Sequence, residues 1–254
     1  MPRRFKAQRK GKSKAKRVDK NTKAIAKLAR QLHTPRTYSR DTSAVIEGET
    51  YVSRLVTPNN WLNVFNTYGD VNRTAVGTSY TMKNMQFRYM CQPEDVLEGT
   101  TDAFYQLFVV SLKPAHARQF RADGYQNLVN TYHYERVALD SVGGLTSGYG
   151  LFMLNRDIFT VHHHSGVRRF VNTTTLGTPI SNSREGTSFG YASIPWNHTL
   201  VCKDATPGGL NNYPAADVPD TQQLYVIILS NASATAPLFT AHNTIVHGTS
   251  HRGL

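Results

Sequence analysis

The sequence predicts an all-β domain, a sandwich or a barrel, that follows a strongly basic N-terminal segment. Thirteen Tyr and eleven Phe, together with many Val, Ile and Thr, favour strands over helices. Apolar runs of strand length are separated by Gly, Pro and Asn, which leaves little room for helices. About 210 residues follow the basic segment, enough for one domain with a well-buried core.

The first segment of the chain is set apart by its charge. Residues 1–40 contain fifteen of the 29 Lys and Arg residues and one acid, Asp19, whereas the remainder has 14 basic and 16 acidic residues. The net charges are therefore +14 and −2. A solvated tail, a nuclear import signal and a nucleic-acid-binding arm all fit such a run, and the last two are compatible. We predict a nucleic-acid-binding arm and linker over 1–40 and a folded domain over 41–254, because each Lys or Arg that pairs with a phosphate releases a counterion.

Within the basic segment, one short helix is predicted over 20–32. Ile25, Leu28 and Leu32 have helical spacing there, and basic residues occupy the other faces. Residues 33–42, with Pro35 as a breaker, predict a linker.

Eight runs predict strands in the folded domain. They are 44–55, 78–91, 104–112, 149–154, 158–163, 167–171, 224–230 and 239–247. The runs at 104–112 and 224–230 are continuously apolar, which predicts central strands covered on most sides. Connections at about 114–147, 174–200 and 203–222 are rich in Gly, Asn, Ser, Thr and Pro, and predict long functional loops.

One short motif suggests an enzyme. Residues 186–190, GTSFG, fit G-x-S-x-G with Ser188 as the nucleophile. A nucleophile elbow needs a strand before the Ser and a helix after it, and Pro195 would interrupt that helix. We therefore predict a flexible loop, no catalytic residue, no small-molecule substrate and no enzyme activity, with a hydrolase that uses Ser188 as a remote alternative.

A run of three histidines suggests a metal site. On a strand, His162 and His164 would point to one side and His163 to the other. The nearest carboxylate is Asp157, so we predict no metal ligands here, but an exposed or interfacial run that titrates near neutrality. Phosphate-binding glycine motifs are absent, so no cofactor is expected. No apolar stretch approaches the roughly 20 residues of a membrane span.

A basic arm ahead of a β-rich domain resembles the capsid proteins of small icosahedral viruses. The stretch 77–88, GTSYTMKNMQFR, is similar to a segment in capsid proteins of the circovirus-like group, the circular Rep-encoding single-stranded DNA viruses. There, a Gly-rich lead-in enters a strand of the form hydrophobic-Lys-Ser/Asn-hydrophobic. The apolar run 104–112 and the segment 152–161, FMLNRDIFTV, resemble later strands of the same proteins.

This resemblance implies an eight-stranded jelly-roll sandwich with a disordered basic N-terminal arm. It implies homo-oligomeric shells, usually of about sixty copies, with the arm inside against packaged single-stranded DNA. It also implies recognition by a host nuclear import receptor, and hence location in the virion and the host nucleus. A capsid protein of a small positive-strand RNA virus and a non-viral nucleic-acid-binding β-barrel are the alternatives. The predicted nucleic-acid-binding residues are Arg3, Arg4, Lys6, Arg9, Lys10, Lys12, Lys14, Lys16, Arg17, Lys20, Lys23, Lys27 and Arg30 in the arm, and Lys83, Arg88, Arg168 and Arg169 in the domain.

Overall fold

The computed structural model describes residues 20–24, 34–64, 79–93, 99–115, 153–174, 187–202, 208–234 and 237–251. These residues form nine strands. The strands are β1 (Thr34–Ile46), β2 (Thr50–Arg54), β3 (Leu62–Asn63), β4 (Ser79–Pro93), β5 (Gly99–Leu112), β6 (Phe159–Thr174), β7 (Ser188–Val201), β8 (Leu224–Ser230) and β9 (Leu238–His251). Short 3-10 turns lie at Pro58–Asn60, Gly209–Asn212, Ala215–Asp217 and Asp220–Gln222. Residues 20–24 are helical, and the rest of the helix predicted over 20–32 lies outside the described residues.

The strands form two antiparallel sheets. Sheet A has the order β3-β1-β9-β4-β7, and sheet B has the order β2-β8-β5-β6. The pairs β1–β9, β2–β8, β4–β7 and β5–β6 are all antiparallel and are nested in chain order. A long hairpin rolled up on itself gives this nesting, which is the connectivity of a jelly roll. The predicted all-β jelly roll is confirmed, with the two-residue β3 as a ninth strand beside β1.

The main core lies between the two sheets and contains an aromatic cluster of Tyr38, Trp61 and Tyr80, none of which is exposed. Tyr38 stacks on Trp61 with ring centroids 5.7 Å apart, and it meets the edge of Tyr80 at 4.9 Å. The single O–H of Tyr80 lies within donating distance of two backbone carbonyls, those of Arg36 (2.9 Å) and Val246 (3.1 Å). Because Tyr38 belongs to β1, this strand is part of the core.

The two central strands of sheet B are buried on both faces. Every residue of β8 is buried, and β5 is buried from Phe104 onward. Beyond the main core, a second apolar cluster covers the outer face of sheet B, and it includes Phe108, Tyr225 and Ile227. The prediction of two central strands covered on most sides is therefore confirmed.

The boundary between basic segment and domain differs from the prediction. The predicted strand 44–55 is two strands, because the chain turns between Ile46 and Thr50 to pass from sheet A to sheet B. The predicted linker over 33–42 was wrong from Thr34 onward, since β1 pairs with β9 from Thr34 to Ile46. Pro35 does not prevent this pairing, because a proline is tolerated at the start of a strand.

Strand β7 is the main element that the sequence did not predict. The loop predicted over 174–200 was wrong from Ser188 onward, and β7 alternates between buried and exposed side chains as a half-buried strand should. Pro195 fits because β7 lies at the edge of sheet A, where a missing N–H breaks few bonds. Gly190 fits because the Tyr89 ring occupies the space that a Cβ atom would need.

Other boundaries shift for similar reasons. The predicted runs 158–163 and 167–171 form one strand, β6, which continues through Gly166 in the left-handed region at φ 69°. Of the predicted strand 149–154, Leu154 forms an isolated bridge, and 149–152 lie outside the described residues. The predicted loop 114–147 lies outside them from 116, and 203–222 contains three 3-10 turns in its described part. No helix among the described residues is long and apolar enough to cross a membrane.

Candidate nucleic-acid interface

The basic segment lies mostly outside the described residues. Of its thirteen predicted nucleic-acid-binding residues, Lys20 and Lys23 are described, and both are exposed. The remaining members of that set fall on positions whose structure is not described, so their role stays a prediction.

Two further cations of residues 1–40 belong to the folded domain. Arg36 and Arg40 lie in β1, and Arg36 is paired with Gly248 of β9. The guanidinium of Arg40 donates to the Arg54 carbonyl (3.1 Å) and the Thr57 hydroxyl (2.7 Å). Burial lowers the pKa of Arg40. These hydrogen bonds connect Arg40 to the end of β2 and to the residues that follow it. The Arg40 side chain therefore contributes to the folded structure.

Lys83 is placed by a β-bulge in β4. The pairing with β9 skips from Met82 to Asn84, and Met82 and Met85 are both buried. Two residues, Lys83 and Asn84, therefore lie together on the outer face of sheet A, and Lys83 is exposed. The bulge explains why the sequence reads hydrophobic-Lys-Asn-hydrophobic here instead of alternating strictly.

Arg88 lies on the same face of sheet A. It is exposed, and across the strands it pairs with Tyr191 of β7 and Asn243 of β9. Tyr191 is 52% exposed, and Phe189, two residues earlier on the same face, is 70% exposed. The prediction from sequence singled out Arg88 but missed both aromatic residues, because it assigned β7 to a loop. The alternation of apolar residues from 188 to 201 was the signal that could have revealed them.

A shallow depression of about 460 Å³ lies beside these residues. It is lined from β4 and β7 by Arg88, Met90 and Phe189, and from β1 and β9 by short side chains that include Ser43 and Ala241. At one end, the Asn243 amide donates to the Asp41 carboxylate at 2.6 Å. The depression therefore combines an exposed aromatic ring, a cation, a carboxylate and a side-chain amide on one sheet face.

Arg168 and Arg169 do not extend this surface as a pair. Both are exposed on β6, but consecutive strand residues point to opposite faces of a sheet. Arg168 pairs with Tyr105 at the side of sheet B that faces the core. Burial raises the pKa of Tyr89 and Tyr105, and the nearby Arg168 lowers both by a smaller amount. Arg168 thus lies near the start of β7, and Arg169 faces the other way.

The three histidines do not converge, so the predicted alternation was wrong. Register shifts between β5 and β6 leave His162 without a directly paired residue. His162 lies 2.9 Å from the Ser111 hydroxyl and meets the Trp196 ring at 5.4 Å, whereas the His164 ring stacks on Phe108 at 4.4 Å, on the opposite face of sheet B. The described residues contain no group of three or more His, Cys, Asp or Glu that could hold a metal ion.

The environment of the histidines also moves their titration. Burial lowers the pKa of His162, His163 and His164, and the charge of His164 lowers that of His163 further. The hydroxyl of Tyr89, from sheet A, lies 3.4 Å from the Nε2 atom of His163. These side chains therefore gain their protons at lower pH than an unperturbed histidine does.

Ser188 has a structural contact in place of a nucleophile elbow. It is the first residue of β7, so a strand and not a helix follows it. The Tyr105 hydroxyl donates to its Oγ atom at 2.8 Å, which connects β5 in sheet B to β7 in sheet A. The predicted flexible loop is wrong at this residue, and the contact gives Ser188 a structural role.

Comparison with known proteins gives no family assignment, since no protein-family model matches the chain and no curated protein matches it significantly. The chain is similar to a solved structure of Desmodium yellow mottle tymovirus at 10% identity, over 87% of this chain and 91% of that chain, with a TM-score of 0.30. It is also similar to a structure of the infectious bursal disease virus Gx strain at 10% identity, over 87% and 41% of the two chains, with a TM-score of 0.13. Scores of this size do not establish a common fold, so the architecture rests on the strand pairing.

Proposed function

We propose that the protein is a viral capsid subunit, which associates with copies of itself into a shell and packages single-stranded nucleic acid through the segment that precedes β1. One observation carries the proposal. Residues 1–33 contain thirteen Lys and Arg against one acid, a net charge of +12, and the sheets begin at Thr34. Such a segment gives tight, sequence-independent contact with phosphates, which is what packaging requires.

The number of charges suits a shell. In about sixty copies, these segments would carry on the order of 700 positive charges, enough to neutralise much of the phosphate of a small genome. The jelly-roll domain would supply the wall of the shell, and the protein would then reside in the virion. The proposal assigns no catalytic step to any residue, since nucleic-acid packaging by counterion release needs none.

For the packaged cargo, we favour single-stranded DNA of a circovirus-like virus. The support is the resemblance of residues 77–88 to a segment in capsid proteins of that group. In this chain, Lys83 and Asn84 of that segment lie at the bulge of β4. A capsid protein of a positive-strand RNA virus would need the same basic segment, so charge does not separate the two. Digestion of nucleic acid recovered from particles with DNase and with RNase separates them directly.

A host nuclear import receptor is the second proposed partner. Short Lys and Arg clusters such as those in residues 1–17 serve both import and phosphate binding. A fluorescent protein fused to residues 1–33 should accumulate in the nucleus, and a cytoplasmic fusion would remove this part of the proposal.

The central experiment compares two truncated chains with the full-length protein. The chain that begins at Thr34 keeps all of β1, so it should retain β-rich circular dichroism and still associate, but lose binding to a single-stranded oligonucleotide at low salt. The chain that begins at Asp41 also loses Tyr38 and Arg40, so it should fail to fold. Full-length binding should fall by orders of magnitude between about 50 and 200 mM salt if six or more phosphates are neutralised.

Electron microscopy of the same preparations tests assembly. Shells from the full-length protein, and empty shells or shell fragments from the chain that begins at Thr34, would support the proposal. Unchanged oligonucleotide affinity after removal of residues 1–33 would refute the role of the segment. A monomer at every concentration would refute the capsid and favour a non-viral nucleic-acid-binding protein.

A further inference from the structure

The outer face of sheet A presents two neighbouring rows of side chains that cross four strands. One row is Ser43, Ala241, Met90 and Phe189, and the next is Asp41, Asn243, Arg88 and Tyr191. Each row runs from β1 through β9 and β4 to β7. Both rows end in an aromatic residue on β7, which has a strand partner on one side only among the described strands.

The two aromatic side chains are unusual in being left in water. Full burial of a Phe side chain stabilises a protein by about 1.5–3 kcal/mol, but Phe189 is 70% exposed and Tyr191 is 52% exposed. Exposed apolar side chains that lie next to each other, and not singly, form the kind of patch found at binding surfaces. The neighbouring groups indicate which kind of ligand fits.

Charge and hydrogen-bonding groups around the rings suit a nucleic acid. The outer face of sheet A carries Lys83 and Arg88 as its cations, and Asp41 is the one acid among its described residues. The Asp41 carboxylate already accepts a hydrogen bond from Asn243. Aromatic rings beside an arginine and side-chain amides are the composition of surfaces that bind unpaired bases, since every base has a face for stacking and each linkage has a phosphate for the cation.

We infer that Phe189 and Tyr191 form a stacking platform for unpaired bases of single-stranded nucleic acid, with Arg88 on the adjacent phosphate. Residues i and i+2 of a strand lie roughly 7 Å apart on one face. This is about twice the ~3.4 Å rise per nucleotide in a stacked strand, so a base has room between the two rings. The depression beside Phe189, with Ala241 and Ser43 in its lining, leaves space for the next nucleotide.

This inference rests on the proposed function, because the strand bound here is the one that the basic segment holds. A second copy of the chain is the competing occupant of the face. The core of a protein interface is depleted of charged residues, but one of the two rows has Asn243 and Arg88 at its centre and Asp41 at its β1 end. Nucleic acid therefore fits the chemistry better, and the experiment below separates the two.

The test uses the full-length chain and two fluorescent probes of equal length and charge, an oligodeoxythymidylate and its abasic counterpart. Binding is measured at high salt, where the contribution of the basic segment is small. The wild-type protein should bind the thymidylate more tightly than the abasic probe. The double variant Phe189→Leu/Tyr191→Leu should lose about tenfold for the thymidylate and nothing for the abasic probe.

Three further variants complete the design, two of them controls. Phe189→Tyr and Tyr191→Phe keep both rings, so each should bind like the wild type. Arg88→Gln should weaken both probes equally and reduce the salt slope by about one. Because these side chains are exposed, circular dichroism should show every variant folded.

Irradiation of the complex with an oligonucleotide that contains 5-iododeoxyuridine gives an independent readout. We expect crosslinks in the peptide that carries Phe189 and Tyr191. Equal thymidylate binding by wild type and the leucine double variant would overturn the platform, as would a double variant that binds normally but no longer assembles. Each of these two results would overturn the platform alone. If removal of residues 1–33 still abolished binding at low salt, the proposed function would stand.

Discussion

The outer faces of the two sheets differ in how far their side chains are buried. The outer face of sheet B is a second apolar core, in which Phe108, Tyr225 and Ile227 are at most 1% exposed. The outer face of sheet A mixes polar and apolar side chains and carries exposed Phe189, Tyr191 and Val201 along β7. Both faces of sheet B therefore contribute to stability, whereas the outer face of sheet A retains exposed side chains among the described residues.

The largest effect that we predict from this contrast is seen when one residue is substituted on each outer face. Ile227→Ala, in β8, should lower the free energy of unfolding by about 2–5 kcal/mol, because it opens a cavity in the layer that covers sheet B. Ile245→Ala, in β9 on the outer face of sheet A, should cost about 1 kcal/mol or less, because its half-buried side chain can be replaced by water. Urea denaturation of both variants measures the difference.

Equal costs at the two positions would contradict the contrast. A large loss at Ile245 would mean that the outer face of sheet A is covered in solution, as it would be if copies of the chain packed there. Repetition of the measurement across protein concentrations identifies that case, because stability from association rises with concentration.

The same contrast explains which strands could be predicted from the sequence. The run at 224–230 was predicted with the bounds of β8, since a strand that is buried on both faces reads as a continuous apolar run. Strand β7 has one buried face and also contains Gly190 and Pro195, which normally indicate loops. These two residues fit in a strand only because of their surroundings. The Tyr89 ring requires a glycine at position 190, and the position of β7 at the edge of sheet A tolerates a proline at position 195. Local sequence does not contain that information.

The residues of the candidate site also differ in how well the sequence predicts them. Lys83 and Arg88 could be named from the sequence because charged residues inside a predicted strand stand out. Phe189 and Tyr191 were missed because their segment was assigned to a loop; the alternation from 188 to 201 indicates a strand, but the exposed face is set by the neighbouring strands. The first strand was placed too late for a related reason. Arg36 and Arg40 continue the charge pattern of the basic segment, but their environment is set by partners distant in sequence, on β9 and after β2.

A second prediction concerns the inner side of sheet A, where His242 lies beneath the depression. Its side chain is 5% exposed, packs against Phe87 with ring centroids 5.5 Å apart, and is paired across the strands with Tyr89 and Thr42. Burial lowers the pKa of His242 to about 4, with a further lowering by Arg40 and a smaller raising by Asp41. The unfolded chain therefore takes up this proton at higher pH than the folded chain does.

The consequence is a loss of stability in acid. The contribution of neutral His242 should be fully present above about pH 6.5 and should be lost as the pH falls toward 4, by about 3 kcal/mol in all. His242→Gln should remove this part of the pH dependence. Denaturation of both proteins between pH 7 and pH 4.5 measures it. Parallel profiles would show that His242 is not buried as a neutral side chain.

The smallest predicted effect tests the strand that the sequence missed. An alanine Cβ at position 190 would overlap the Tyr89 ring, whereas nothing lies within 4 Å of a Cβ at Gly48. Gly190→Ala should therefore destabilise the protein by about 1–3 kcal/mol, and Gly48→Ala should change stability by about 0.5 kcal/mol or less. Thermal or urea unfolding of the two variants makes the comparison.

A double-mutant cycle then shows whether the ring is the cause. Tyr89→Leu removes the aromatic ring, so Gly190→Ala should cost less in that background than in the wild type, with an interaction energy of at least about 0.5 kcal/mol. Additive effects would mean that Tyr89 does not lie over Gly190, and that β7 does not pair with β4 in the register that puts Arg88 opposite Tyr191. The stacking platform depends on this register, because a shift of one residue would turn both aromatic rings toward the core.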